Sequence, residues 1–285
     1  MWKVEPPAVG DIKAQLDAAL IEKDETVVYE LSDAERQAVI ELYQAYDDLA
    51  GEPDAVLVPA ALDACKNYLH AAYNQVQKRG RLKDLRGRLL ASVIECPLCG
   101  FGEATTLDHH LPKDQYRALS IYARNLIPSC HPCNRAKGTL EPVVGAGLIH
   151  AYLTELPELT FLEAEVQYAA GRLVVLFTID DTFLLDDLDE RLRFQLRRLD
   201  LNRRYFDPVN IFLFNLKTAF SFFRGKPDEG EQIKAFLLAS AKAVDDDFKL
   251  NHWRAALMRG LAACDAFLAD PWSYFDRSIG DMREI

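Results

Sequence analysis

Apolar residues recur at helical spacing along the N-terminal part of the chain. A first helix is predicted to begin after Ser32, which with Glu35 fits a capping box, and to end at Gly51. Its apolar face is formed by Val39, Leu42, Tyr43, Tyr46 and Leu49. A second helix is predicted over 56–77, because apolar residues again recur every third or fourth position. Its apolar face is formed by Leu62, Cys65, Leu69, Ala72, Tyr73 and Val76.

Alternation replaces this periodicity after Phe161. Apolar and polar residues alternate over 162–168 and again over 173–179, on either side of a turn at 169–171, which predicts a β-hairpin. Helical spacing then returns and predicts helices near 184–199, 208–224, 229–245 and 251–268. The phenylalanine-rich stretch 206–223 is interpreted as buried core in preference to a base-stacking surface.

The middle of the chain, 93–142, combines short apolar pieces, turn residues and paired cysteines. Such an irregular segment is expected to need a structural metal in order to bury a core. The fold is therefore predicted to be α+β and mostly helical, in three parts. These are a helical N-terminal region over 1–92, a metal-stabilised domain over 93–142, and a β-hairpin with helices over 143–285.

The composition restricts the class of protein. Of 285 residues, 49% are hydrophobic and 27% charged, which excludes a disordered or fibrous chain. No apolar run approaches the roughly 20 residues that a membrane span needs, and the N-terminus lacks an apolar signal segment. We therefore expect a soluble, cytoplasmic protein without a membrane partner.

Charge is distributed unevenly. The net charge is −11, and residues 1–60 carry 14 acidic and 4 basic side chains. The stretch 78–88, by contrast, carries six basic side chains against Asp84 alone. A protein that coats DNA non-specifically is basic overall, because phosphate neutralisation drives its affinity. Any nucleic-acid role of this chain must therefore be local or assisted by a partner.

Four of the six cysteines form two Cys-x-x-Cys pairs, which are Cys96, Cys99, Cys130 and Cys133. In a chain without a signal segment this clustering favours a metal over disulfides. Two such pairs supply the four thiolates of a tetrahedral zinc site. The remaining two, Cys65 and Cys264, fall on apolar helical faces and are interpreted as core residues.

Polar residues between and beside the cysteine pairs suggest a second metal. Asp108 and His109 are adjacent at the end of a predicted strand, and Asn134 directly follows the last cysteine. Carboxylate and amide oxygens suit Mg²⁺, which also binds phosphate oxygens. An imidazole beside that ion can take a proton from water at neutral pH. These are the groups that metal-assisted phosphodiester hydrolysis requires.

The order of these residues resembles a known motif. Asp-His-x-x-Pro at 108–112, followed by Asn-Leu-x-x-x-Cys-x-x-Cys-Asn-x-x-Lys at 125–137, is similar to the HNH motif of the ββα-metal nucleases in its zinc-stabilised form. The resemblance implies a ββα fold, in which a hairpin carries the first His and a helix the last Asn. It implies His109 as general base, Asp108 and Asn134 as Mg²⁺ ligands, and Asn125 as the residue that braces the loop. Mn²⁺ is expected to substitute for Mg²⁺, and the four cysteines match the family's zinc ligands.

One position departs from the usual pattern, because His110 stands where the family commonly has an aliphatic residue. Neighbouring residues of a strand point to opposite faces, so only one of His109 and His110 can serve as the base. The register of Pro112 favours His109. His110 is then a structural histidine, and His131, inside the second cysteine pair, lies at the surface or beside the zinc ligands.

Basic residues near the motif are candidates for contacts with phosphates. Lys113, Arg135 and Lys137 are predicted to bind nucleic acid, although an ordinary solvated charge explains Lys113 equally well. The stretch 78–88 is compatible with tracking a DNA backbone, and nearly as well with a solvated helix face.

The resemblance implies a Mg²⁺-dependent endonuclease that nicks or cuts DNA. The alternatives are a catalytically idle zinc module that binds nucleic acid or protein, and an activity on RNA or on a particular DNA structure. The order of an HNH segment, a hairpin and a helical tail is similar to HNH proteins of bacterial phage-defence systems, such as the Septu type, which work with an ATPase. This similarity implies an antiviral role and an ATPase or other activating partner. The acidic residues 1–60 would then shield the active site or dock a basic partner surface.

Overall fold

The computed structural model describes residues 3–22, 24–140, 143–184 and 187–276. It divides into two compact units, one over 3–156 and one from 157 onward. Helices and two small antiparallel sheets occur in the described residues, which confirms the predicted α+β class. None of the helices described is both long and apolar enough to cross a membrane.

The first unit opens with two helices, α1 (Ile12–Ala19) and α2 (Asp33–Asp48). The predicted capping box is confirmed, since Ser32 Oγ accepts from the Glu35 backbone and the Glu35 carboxylate accepts from the Ser32 backbone. Helix α2 ends where the backbone turns left-handed at Ala50 and Gly51. Its predicted face is buried at Val39, Leu42, Tyr43 and Tyr46.

The single helix predicted over 56–77 is wrong. The structure has 3₁₀ turns at Ala55–Leu57 and Ala60–Leu62, helix α3 at Lys66–Ala71, and a further 3₁₀ turn at Ala72–Val76. Pro59 is extended, with ψ of 134°, and its missing N–H cannot continue a helical ladder. The predicted apolar face is nevertheless buried, except for the half-exposed Tyr73. Helix α4 (Lys83–Ala91) follows and carries three of the six basic side chains of the stretch 78–88.

The middle segment forms two strands and a helix. Strand β1 (Thr106–His109) pairs antiparallel with β2 (Leu126–Ser129), and helix α5 (His131–Lys137) follows directly. The link between the strands contains 3₁₀ turns at Arg117–Leu119 and Ala123–Asn125. Apolar residues of β1, β2 and this link share one hydrophobic core with α1–α4. The helical N-terminal region therefore packs against the segment that carries the motif.

The second unit contains the predicted hairpin. Strands β3 (Leu162–Ala169) and β4 (Arg172–Ile179) pair antiparallel from Leu162–Ile179 to Ala169–Arg172. Ala170 and Gly171 both have positive φ, 50° and 74°, as a two-residue turn requires. The helices that follow are α6 (Leu188–Arg198), α7 (Leu201–Arg204), α8 (Phe206–Ser221), α9 (Glu229–Phe248), α10 (Trp253–Ala262), α11 (Asp265–Ala269) and α12 (Trp272–Phe275).

Two expectations for this unit need correction. The helix predicted over 251–268 is interrupted, and Cys264 lies half-buried at the N-terminus of α11 instead of in the core. The phenylalanine-rich stretch is only partly core. Phe220 is buried, whereas Phe206, Phe214 and Phe222 are exposed. Helical spacing gives each side chain a face but cannot say whether a neighbouring element covers that face.

Candidate metal centres and active site

The four paired cysteines converge on one point. All four are buried, and their sulfur atoms lie within 4.8 Å of one another. The Sγ atoms of Cys99 and Cys130 are 3.8 Å apart, close to the edge of a tetrahedron with Zn–S bonds of about 2.3 Å. This cluster can bind a metal such as zinc.

Two tight backbone turns present these thiols. In the first, the Gly100 backbone donates to the Cys96 carbonyl with Gly100 at φ of 72°, and the Cys96 backbone donates to the Gly102 carbonyl. In the second, Cys130 caps helix α5, and its Sγ accepts from the Cys133 backbone. Each cysteine pair therefore folds locally, and the β1–β2 pairing helps bring the second toward the first.

Asp108 lies at the end of β1 and forms a buried ion pair. Its carboxylate oxygens are 3.0 and 3.3 Å from Lys137 Nζ, and the two side chains are 8% and 6% exposed. Burial raises the pKa of Asp108 to about 6, and the Lys137 ammonium acts in the opposite direction. Its oxygens are of the type that ligate Mg²⁺, and in this structure they pair with the Lys137 ammonium.

His109 is held in one tautomer. Its Nε2 lies 2.9 Å from the Ser120 carbonyl oxygen, which only accepts. Nε2 therefore carries the hydrogen and Nδ1 the lone pair. Burial lowers the pKa of His109 to about 4, so the ring is neutral at pH 7 and its Nδ1 carries a lone pair. The Tyr73 ring packs edge-on against the imidazole, with 4.4 Å between the ring centroids.

Asn125 is fully buried and saturated with hydrogen bonds. Its Oδ1 accepts from the Leu111 backbone at 2.8 Å and from the Tyr46 hydroxyl at 3.1 Å. Its Nδ2 donates to the carbonyls of Leu111 and Leu119 at 3.2 and 3.3 Å. The side chain therefore fixes both ends of the loop that precedes Ser120, as the family's middle Asn does according to the resemblance.

Asn134 lies on α5, one turn before Lys137. Its Nδ2 donates to Thr106 Oγ1 at 3.1 Å, and Thr106 Oγ1 in turn donates to the Ser129 carbonyl. Thr106 and Asp108 are two residues apart in β1 and so share one face of the strand. Asp108 and Asn134 thus belong to elements that contact each other, β1 and α5, and both offer the oxygen donors that Mg²⁺ prefers.

The other two histidines of the motif have different surroundings. The His110 backbone donates to the Asn125 carbonyl, and its ring lies 4.1 Å from the ring of His150, between centroids. His131 is exposed at the start of α5.

The basic residues differ in accessibility. Arg135 is exposed on α5, and Lys113 is half-buried with Nζ 5.3 Å from the centre of the Tyr73 ring. The sequence predicts that Lys137 meets phosphate, but it is buried and donates to Asp108 and to the His109 carbonyl. Within 78–88, Arg86 is also buried and donates to the Thr105 carbonyl at 2.8 Å, which ties α4 to the start of β1.

Several residues that shape the site were not recognised in the sequence. They are Tyr46, Tyr73, Thr106, Ser120 and His150. The two tyrosines occupied apolar helical positions and were counted as core. The one available signal was chemical, because a buried tyrosine hydroxyl needs a hydrogen-bond partner. Ser120 acts through its backbone, so no side-chain pattern marks it.

Comparisons with known proteins give short matches. No protein-family model and no solved structure matches the chain. Over 47 residues it is 43% identical to protein ea31 of Escherichia phage lambda, which is 16% of each chain. Over 54 residues it is 43% identical to the Septu protein PtuB of Bacillus thuringiensis, which is 18% of this chain and 21% of that protein. The chain thus matches less than a quarter of either relative, and over that part it is similar to a Septu protein.

Proposed function

We propose that the chain is a metal-dependent HNH endonuclease that hydrolyses phosphodiester bonds of DNA. The observation that carries the proposal is the state of His109. The Nε2–H of this buried imidazole is fixed on the Ser120 carbonyl, which leaves Nδ1 as the ring nitrogen that can accept a proton. His109 follows Asp108 in β1 and is packed with α5, the helix that begins in the cysteine cluster.

In this mechanism His109 Nδ1 takes a proton from the attacking water as its oxygen bonds to phosphorus. The bond from phosphorus to the leaving oxygen breaks, and that oxygen takes a proton from solvent. Asp108 and Asn134 would hold Mg²⁺, with Mn²⁺ as a substitute, and the ion when bound would neutralise charge on the phosphate. Arg135 and Lys113 would contact the DNA backbone, and the Lys137 ammonium favours the ionised form of Asp108.

The biological setting proposed is antiviral defence. The support is the similarity to a Septu protein over 54 residues, and the acidic net charge of −11 bears on how such a protein would reach DNA. An acidic nuclease gains little from non-specific attraction to DNA, so an activating partner, such as an ATPase subunit, would supply DNA affinity or triggering.

Cleavage of supercoiled plasmid with Mg²⁺ tests the activity. Replacing the general base in His109→Ala is expected to slow cleavage by roughly 10²–10⁴-fold. His131→Ala, at an exposed position in the second cysteine pair, is the matched control and is expected to cut at the wild-type rate. Cleavage that survives in His109→Ala but is lost in His110→Ala would move the base by one residue.

The alternative function is a zinc module that binds nucleic acid or protein without cutting. It predicts bound zinc and retarded DNA in a gel, with no cleavage in Mg²⁺ or Mn²⁺ and with the candidate partner present. Cleavage by the wild type that His109→Ala abolishes excludes this alternative.

A further inference from the structure

Two residues outside the motif are connected to the proposed general base by hydrogen bonds. We infer that Tyr46 and His150 are positioning residues, which hold His109 in its reactive tautomer by way of Asn125. The inference rests on the proposed function and extends it to residues that lie 79 and 25 positions from Asn125 in the sequence.

The chain of bonds begins at His150, which is 1% exposed. Its Nδ1 accepts from the backbones of Tyr152 and Leu153 at 3.1 and 3.3 Å. Nδ1 therefore has no hydrogen, and Nε2 carries one. Nε2 lies 2.8 Å from the Tyr46 hydroxyl, so His150 donates to Tyr46.

The Tyr46 hydroxyl accepts one hydrogen bond and donates the next. Because its oxygen accepts from His150, its own hydrogen is free to point to Asn125 Oδ1, 3.1 Å away. An amide oxygen only accepts, so this is the one arrangement that satisfies all three groups. Tyr46 thus supplies the second of the two donors that saturate Asn125 Oδ1, the other being the Leu111 backbone.

The last step links Asn125 to the base. Its Nδ2 holds the carbonyls of Leu111 and Leu119, and the residue after Leu119 provides the carbonyl that receives His109 Nε2–H. A shift of Asn125 therefore moves the acceptor that selects the His109 tautomer. Displacement of a catalytic group by about 1 Å is enough to cost on the order of 10²-fold in rate.

The same helix offers a contrasting residue. Tyr43 lies on the same face of α2 and is as deeply buried as Tyr46, at 3% and 0% exposure. Among the residues described, its hydroxyl has no hydrogen-bond partner. If the hydroxyl of Tyr46 served packing alone, the two tyrosines would be equivalent.

The test compares Tyr46→Phe with Tyr43→Phe in the full chain with zinc bound. Plasmid cleavage in Mg²⁺ is measured over a range of DNA concentrations, and ¹⁵N NMR of histidine-labelled protein reports the tautomers. His109 is assigned from its missing signals in His109→Ala. For Tyr46→Phe we expect kcat to fall by about 10- to 100-fold with KM nearly unchanged, and the His109 nitrogens to average between tautomers. Tyr43→Phe is expected to match the wild type in both measurements.

A Tyr46→Phe protein with wild-type kcat and an unchanged His109 tautomer overturns the inference, and so does a Tyr43→Phe protein with the same defect. If the wild type does not cut DNA, the proposed function fails and the tautomer measurement alone decides the positioning role. Should Tyr46→Phe fail to fold, His150→Phe breaks the chain at its other end. Failure of both to fold assigns these residues a structural role and overturns the inference.

Discussion

At the scale of single residues, two neighbouring side chains at the end of β1 have pKa values that burial shifts in opposite directions. Burial raises the pKa of Asp108 to about 6 and lowers that of His109 to about 4. Near neutral pH the Asp108 carboxylate is charged and the His109 imidazole is neutral. These are the protonation states that the proposed metal ligand and the proposed base require. Lys137 makes this possible, because its ammonium is the cation that offsets the buried carboxylate.

Replacing Lys137 by Met should therefore destabilise the protein in a pH-dependent way. An unpaired buried carboxylate costs about 3–5 kcal/mol at pH 7.5. The folded pKa of Asp108 already lies above its unfolded value of 3.8 and rises further in the variant. Its protonated form is favoured by folding, so stability is present at low pH and lost as pH rises through about 6. Urea denaturation should show a smaller deficit at pH 5 than at pH 7.5.

The deficit is taken relative to the wild type at each pH. The Lys137 ammonium also lowers the pKa of His109, so its removal raises that pKa and reduces the deficit at low pH in the same direction. The half-buried Lys113 likewise lowers the pKa of His109, and Lys113→Met is the control for that effect. It should show a smaller pH dependence than Lys137→Met, because it is Lys137 that pairs with Asp108. Equal deficits of Lys137→Met at both pH values would show that loss of the ion pair with Asp108 does not cause the destabilisation.

At the scale of elements, a local sequence pattern predicts the structure correctly where one local interaction determines it. The capping box at Ser32 and the alternation of the hairpin were both predicted correctly. The break in 56–77 was missed, because apolar spacing reports which face is buried and is nearly the same for α and 3₁₀ turns. Pro59 was the local signal for that break.

The first cysteine turn depends on a residue without a side chain. A Cβ added at Gly102 would lie 2.8 Å from the Cβ of Cys130 and 3.0 Å from its Sγ. Gly102→Ala should therefore spread the two cysteine pairs and weaken zinc binding, by roughly 10- to 100-fold for a disturbance next to the ligands. Competition with a chromophoric chelator measures the affinity. Gly10→Ala, with open space around its added Cβ, should retain wild-type affinity, and equal affinities for both variants would contradict the argument.

At the scale of the whole molecule, the sequence identified the motif but not what supports it. The seven residues of the two proposed metal sites and the base fall within 96–134. Spacing predicts the four cysteines, whereas residue type and the resemblance to the HNH motif predict Asp108, His109 and Asn134. Their supports come from far along the chain, as Tyr46 does for Asn125, and only folding brings them together. The acidic N-terminal segment shows the same limit. Its charge predicts a role at the surface, but its helices α1 and α2 also contribute Leu16, Val39 and Leu42 to a hydrophobic core. The same core holds Leu107 and Leu126 of the two motif strands.

This division into units predicts how the protein responds to loss of metal. The cysteine cluster lies in the unit over 3–156, and binding of structural zinc contributes about 10–16 kcal/mol to the folding of such sites. Removing zinc with a strong chelator should therefore expose the amides of β1, β2 and α5 to hydrogen exchange. The hairpin β3–β4 and helices α9 and α10 have contacts of their own, and their amides should keep their protection.

Exchange measured by mass spectrometry distinguishes the two regions. Simultaneous loss of protection in both would mean that the units fold as one, and unchanged protection in β1 and α5 would mean that the cysteine cluster does not stabilise this segment through a metal.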